Sequence, residues 1–218
     1  MEAIEAALPA GDGLACFNRM YLEVTSQVNS ELGQGFYADT AFMTRLDVTF
    51  ANLYFAAADV AGNPAAGKPE AVPLVWRPLV ERRAVAGIEE IQFALAGMNA
   101  HINYDLPVAM VATCTDLATS PEADPHLADY QKVDQLLDGS EQSIRRSFET
   151  ACEQAIDHHL GAVATLICNW SINTARDLAW TNTQLLWAVR NDPFARGLLL
   201  DSLATSTVLA SRMLLMAA

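Results

Sequence analysis

Apolar residues recur at three- and four-residue steps from the start of the chain. Leu14, Phe17, Tyr21, Val24 and Val28 form one such stripe, the spacing of a single helical face. Asp12 stands at the N-cap position and Gly33 at the end, so the pattern predicts a first helix between them. A second stripe begins near Asp39 and runs through AFMTRLDVTFANLYFAAADV to the Gly62-Asn63-Pro64 break. The segment that follows, GNPAAGKPEAVP, is rich in glycine and proline and reads as the clearest loop. Beyond it the pattern predicts a short helix over Leu79 to Val85 and a long central helix over Ile88 to Asp116. A further helix is expected from Ala123 to Leu137, and another opens at Ser140 and Glu141 and closes at Leu160-Gly161. A tryptophan-rich helix from Val163 to Arg190 and, after Asn191-Asp192-Pro193, a last helix ending in ASRMLLMAA complete the chain. Pro107 lies inside the central helix, where it removes a backbone donor and clashes with the carbonyl of Asn103. That helix should therefore kink. No strand-like alternation persists. The expected fold is all-α, a single helical domain over residues 1–218, with about seven or eight helices in an irregular bundle around a central kinked helix.

Composition narrows the class. With 218 residues, 52% hydrophobic and 18% charged, the chain can bury a full core as one domain. A net charge of −13 argues against nucleic acid and anionic membrane surfaces, both of which reward clustered lysine and arginine. No run approaches the roughly 18 apolar residues a membrane span needs, and the opening MEAIEAALPAGDG is acidic where a signal peptide is basic. Cys16, Cys114, Cys152 and Cys168 are far apart and without zinc spacing, so they read as free core thiols of a reducing compartment. The expectation is a cytoplasmic protein with no nucleic-acid or membrane partner, and with room for a homo-oligomer.

The chemistry concentrates in GMNAHINYDLP. His101 and Asp105 are four residues apart, as are Asn99 and Asn103, and the first pair shares its stripe with Ala94, Met98 and Val108. A buried imidazole and carboxylate must pair or change protonation, because unpaired burial is costly. Two other helices also carry charge on apolar faces. Arg45 and Asp47 precede Phe50 and Tyr54 on the stripe that starts at Met43, and the tryptophan-rich helix lines up Leu166, Trp170, Asn173, Asp177, Trp180, Gln184 and Trp187, with Arg176 beside Asp177. If these faces meet, they enclose an aromatic-walled cavity with a few convergent polar groups, the usual anatomy of a site for a largely apolar small molecule. In that arrangement His101, Asp105, Asp47 and Asp177 are the candidate acid/base groups. Arg45, Tyr54, Asn99, Asn103, Asn173, Arg176 and Trp180 are candidate binding groups.

Other readings use the same residues. The His101–Asp105 pair could be a satisfied core hydrogen bond, and Arg45 with Asp177 or Arg176 with Asp47 could be structural ion pairs. His101, Asp105, Asp47 and Asp177 could instead supply a mixed shell for a divalent metal, although HExxH and paired ExxH motifs are absent. His158-His159 suits a helix C-terminus, and His126 lies near a loop and should be exposed. No phosphate loop, dinucleotide fingerprint or nucleophile elbow occurs. The leading expectation is therefore a cyclase, isomerase or lyase that needs no cofactor. A divalent-metal-dependent hydrolase and a non-catalytic binding protein for an apolar ligand are the alternatives.

The blocks RLDVTFANLYF, WRPL, GMNAHINYDLP and ARDLAW resemble an all-helical family of unknown function that is frequent in actinobacterial genomes. The resemblance runs from about Phe42 to Trp187, and AHINYDLP is its most specific part. It implies functional positions at Arg45, Asp47, Trp76, Asn99, His101, Asn103, Asp105, Arg176 and Asp177. It brings no activity, and its link to natural-product pathways is one of association.

Overall fold

The computed structural model of the chain describes residues 1–62, 71–139 and 162–217. The expected helix from Ser140 to Gly161, with His158-His159 and Cys152, lies outside the described residues, as does most of the glycine- and proline-rich loop.

Asp12 caps the first long helix as its position suggested. Its Oδ1 accepts from the Leu14 N–H at 2.9 Å and its Oδ2 from Arg83 Nε at 2.8 Å. The helix it starts, α2 (Gly13–Leu32), is preceded by a short α1 (Glu2–Ala7) that the periodicity did not predict. Asn18, fully buried in α2, fixes α1 by donating to the Met1 carbonyl at 3.2 Å and to Glu5 at 3.0 Å. Next come α3 (Thr40–Gly62), a 3₁₀ turn over Leu74–Trp76 and α4 (Arg77–Arg82). The central helix consists of α5 (Glu90–Ala100), a π-helical turn (His101–Asp105) and α6 (Leu106–Asp116). The rest is α7 (His126–Gly139), α8 (Ala162–Asn169), α9 (Ile172–Ala188) and α10 (Pro193–Leu214). Among the described residues there is no strand, and no helix is long and apolar enough to cross a membrane.

The central helix is the hub. α2 and α10 pack on its first half, α3 and α9 on its second. Its expected kink takes the form of the π turn. Without an N–H, Pro107 cannot bond the carbonyl four residues back, and its ring crowds that carbonyl. The backbone widens by one residue, so that the Leu106 N–H reaches the His101 carbonyl.

Two expectations are corrected. The tryptophan-rich helix is two helices, α8 and α9, because the Ser171 side chain accepts from the Thr174 N–H at 3.3 Å and starts a new N-terminus. The buried face of α9 is also not the tryptophan stripe but Ala175, Arg176, Ala179, Thr183 and Leu186. Small side chains let α9 lie close to α6, and the wide indoles take the flanks. The cysteines differ as well. Cys16 and Cys114 are free and buried, but Cys168 is exposed and disulfide-bonded, so sequence distance was no guide to its pairing.

Gly97 sets the approach of α2 to α5. A Cβ there would fall 2.4 Å from the Phe17 ring. Phe17 in turn makes edge contacts with Trp76 at 5.2 Å and His101 at 5.9 Å. Gly97→Ala is expected to lower the unfolding free energy by about 1–3 kcal/mol through overpacking, despite alanine's better helix propensity. Urea denaturation checks this, and an unchanged or raised midpoint would show that Phe17 has room to retreat.

Candidate functional site

The π turn places His101 and Asp105 at the centre of the bundle, both buried. Asp105 Oδ2 accepts two hydrogen bonds, from Trp76 Nε1 at 2.9 Å and from His101 Nδ1 at 3.0 Å. A carboxylate offers only acceptors here, so Nδ1 carries the imidazole proton and Nε2 carries a lone pair. Burial pushes the His101 pKa below its ordinary value, against the opposing pull of Asp105, and the ring is neutral. Nε2 is buried and has no hydrogen-bond partner among the described residues.

The ring is gripped by aromatic neighbours. Phe50 stacks on it at 3.6 Å and 5°, while Tyr21 meets it edge-on at 4.6 Å. The 3₁₀ turn before α4 delivers Trp76, which is fully buried; the sequence pattern alone gave no chemical reason to select it.

His101 borders a cavity of about 90 Å³ between α2, α3, the central helix, α7 and α9. Most of the wall is apolar, with Val24, Met43, Leu46 and Ile102 among its residues. The exceptions are Tyr21, Thr25, Asp47, His101, Arg176 and Tyr130, whose hydroxyl donates to the Arg176 carbonyl at 2.8 Å. Tyr21 and Thr25, one turn apart on α2, bury their hydroxyls against one another, and no further partner engages either among the described residues. Burial, and then the nearby Asp47 charge, raise the tyrosine pKa well above normal. Both were read from the sequence only as part of a core stripe. The available signal was two hydroxyls four residues apart on an otherwise apolar face.

Asp47 is half-buried and forms no hydrogen bond or ion pair among the described residues. Desolvation alone pushes its pKa up from 3.8 to about 6. The folded state therefore carries the cost of a desolvated charge above about pH 6, and that cost disappears as the pH falls toward 3.8. Asp47→Asn is expected to raise the melting temperature at neutral pH, by roughly 2–4 °C for each kcal/mol relieved in a chain of this size. The gain should fade by about pH 4. A melting temperature that falls at neutral pH would mean that the carboxylate has a stabilising partner.

The structure does not bring all the sequence-selected residues together. Asp47, His101 and Arg176 line the cavity, with Asp105 and Trp76 directly behind His101. Asp177 is exposed and lies outside the wall, so the expected convergence of His101 with three carboxylates does not form. The turn of α9 that buries Arg176 points its neighbour outward. Arg45 is exposed and pairs with Asp116 rather than Asp177. Arg176 pairs with Asp134 rather than Asp47, donates to the Tyr130 carbonyl at 2.8 Å and stacks over the Tyr130 ring. Asn99 donates to the Thr207 carbonyl at 2.8 Å and to Ser211 at 2.9 Å, and Asn103 donates to Asn99 at 2.9 Å. These two asparagines clamp α10 to the central helix and do not reach the cavity.

Tyr54 is buried behind the wall, donating to Asn18 at 3.0 Å. Asn173 and Trp180 are half-buried on α9, with Trp180 against Tyr130. His126 is buried, not exposed. It stacks on Phe42 at 3.7 Å and its Nδ1 bonds the Ser120 carbonyl at 2.8 Å. Among the described residues, no three His, Cys, Asp or Glu side chains come together as a metal shell.

No curated protein matches the chain, and no solved structure does. A model of a family of unknown function matches residues 1–217, the span that contains every residue of the cavity and its support. On that match the chain belongs to this family, DUF5995.

Proposed function

We propose that this protein is a small-molecule enzyme that works by proton transfer, with His101 Nε2 as the base. The observation that carries the reading is a buried, neutral imidazole whose Nδ1 is held by a carboxylate while Nε2 has no partner among the described residues. Proton uptake at Nε2 creates an imidazolium beside Asp105, which offsets the new charge. Trp76 keeps that carboxylate in place. The imidazolium so formed is itself the acid that returns the proton at a second position. Proton removal at one atom and return at another is the chemistry of isomerisation, cyclisation or elimination, and it needs no change of redox state. In this reading the protein is an enzyme of a natural-product pathway, able to act as a homo-oligomer.

The cavity constrains the ligand. At about 90 Å³ it is smaller than the roughly 150 Å³ that admits benzene in an engineered protein core, and well below the roughly 300–1,000 Å³ of drug-sized sites. It fits a molecule of a few heavy atoms, or the reacting end of a longer one.

An imidazole oriented by a carboxylate is also how proteins hold metal ligands, but the described residues bring no second and third ligand to His101. A binding protein would need the apolar wall alone. The test is to incubate a metabolite extract with the wild-type protein and with His101→Gln in deuterium oxide. A component that changes, or takes up carbon-bound deuterium, only with the wild type supports the proposal. Conversion that is equal with both proteins overturns it.

A further inference from the structure

The polar groups of the cavity wall are weighted toward acceptors. His101 Nε2 can only accept a hydrogen bond, because the ring's proton sits on Nδ1 toward Asp105. Asp47, once ionised, can only accept, and nothing among the described residues donates to it. The hydroxyls of Tyr21 and Thr25 can do either. The strong donors of the wall belong to Arg176, and they are committed to Asp134 and the Tyr130 carbonyl, so its charge is already neutralised.

Among the described residues the site therefore offers no uncommitted charged donor, and its unpaired charge is negative. The aromatic rings in the wall add faces that attract cations, and the chain's net charge of −13 adds a potential of the same sign. Asp47 and His101 both line the cavity, and Asp47 sits one turn before Phe50, whose ring covers His101 at 3.6 Å.

We infer that the ligand is a small amine, bound as its ammonium form against Asp47, with its hydrocarbon part in the apolar wall and its remaining donors toward Nε2 of His101. The inference rests on the cavity being the ligand site, as proposed above. It adds the ligand's class. A neutral alcohol can donate to the carboxylate but leaves its charge uncompensated, and a carboxylic acid would bring a second negative charge to it.

The probes are isobutylamine, isobutanol and isobutyrate, which are similar in shape and differ in charge. Each is titrated by NMR into the full chain at about pH 7.5, where both Asp47 and the amine are charged. Isobutylamine is expected to bind roughly tenfold or more tightly than isobutanol, as hydrogen bonds to a charged partner allow. The preference should vanish in Asp47→Asn, which leaves the cavity shape intact. It should also fade below about pH 6, as Asp47 takes up its proton.

Equal binding of isobutanol and isobutylamine would overturn the amine class while leaving the cavity as a ligand site. Tighter binding of isobutyrate would overturn it in favour of an anion held by Arg176. A preference that survives in Asp47→Asn would remove Asp47 from the recognition. If none of the three binds, the amine proposal fails, and the proton-transfer reading still stands or falls on the His101→Gln comparison.

Discussion

Replacing His101 with glutamine is expected to lower turnover by about 10²–10⁴-fold, with little change in KM. That range is the usual worth of a positioned general base. Glutamine can still donate toward Asp105 and fills much of the same space between Phe50 and Tyr21. It has no nitrogen that titrates, so it removes proton transfer and little else. The wild-type pH profile should carry a matching signature. Activity requires the unprotonated Nε2, and burial lowers the His101 pKa below its usual 6.5, so the acid limb should lie on the acid side of that value and disappear in the variant. A folded His101→Gln protein that keeps near-normal rates would reduce His101 to a packing residue.

Asp105→Ala is expected to cost about 3–5 kcal/mol of unfolding free energy, a large share of the roughly 5–15 kcal/mol that holds a domain together. The reason is the two N–H groups that share Oδ2. With the carboxylate gone, Trp76 Nε1 and His101 Nδ1 lose their acceptor in a place water does not reach, and each orphaned donor costs roughly 1–3 kcal/mol. Asp105→Asn should cost less, since it keeps an acceptor oxygen. Urea unfolding of the two variants measures the difference. A loss under about 1 kcal/mol for Asp105→Ala would mean that the pair contributes little to the core. Adding Trp76→Phe to Asp105→Ala removes one orphan, so the double variant should be less destabilised than the sum of the singles.

The two variants separate roles that the site combines. Asp105 serves the fold and His101 at once, whereas Asp47 opposes the fold, since its unpaired carboxylate is left desolvated. Nε2 of His101 also remains unsatisfied among the described residues. Groups retained at a cost to stability, all bordering one cavity, are what a binding or catalytic site looks like before its ligand arrives.

The sequence alone determined what depends on local periodicity and local chemistry. The all-α class, the Asp12 cap, the disturbance at Pro107 and the i, i+4 pairing of His101 with Asp105 follow from three- and four-residue spacing and from proline's missing donor. It also found the inward stripe of α3, because Met43, Phe50 and Tyr54 are apolar enough to mark their face. Tertiary structure decided which faces meet. On α9 the indoles suggested one stripe, but close packing against α6 selected the small side chains, burying Arg176 and leaving Asp177 in solvent. Arg176 found Asp134 on α7, and Arg45 found Asp116 on α6, partners more than forty residues away that no local pattern indicates. Trp76 became the support of Asp105 only because the 3₁₀ turn carries it into the core. Spacing along one helix fixes what a residue can present, but the rotation of that helix against its neighbours fixes what it meets, and that rotation is set by the packing of the whole bundle.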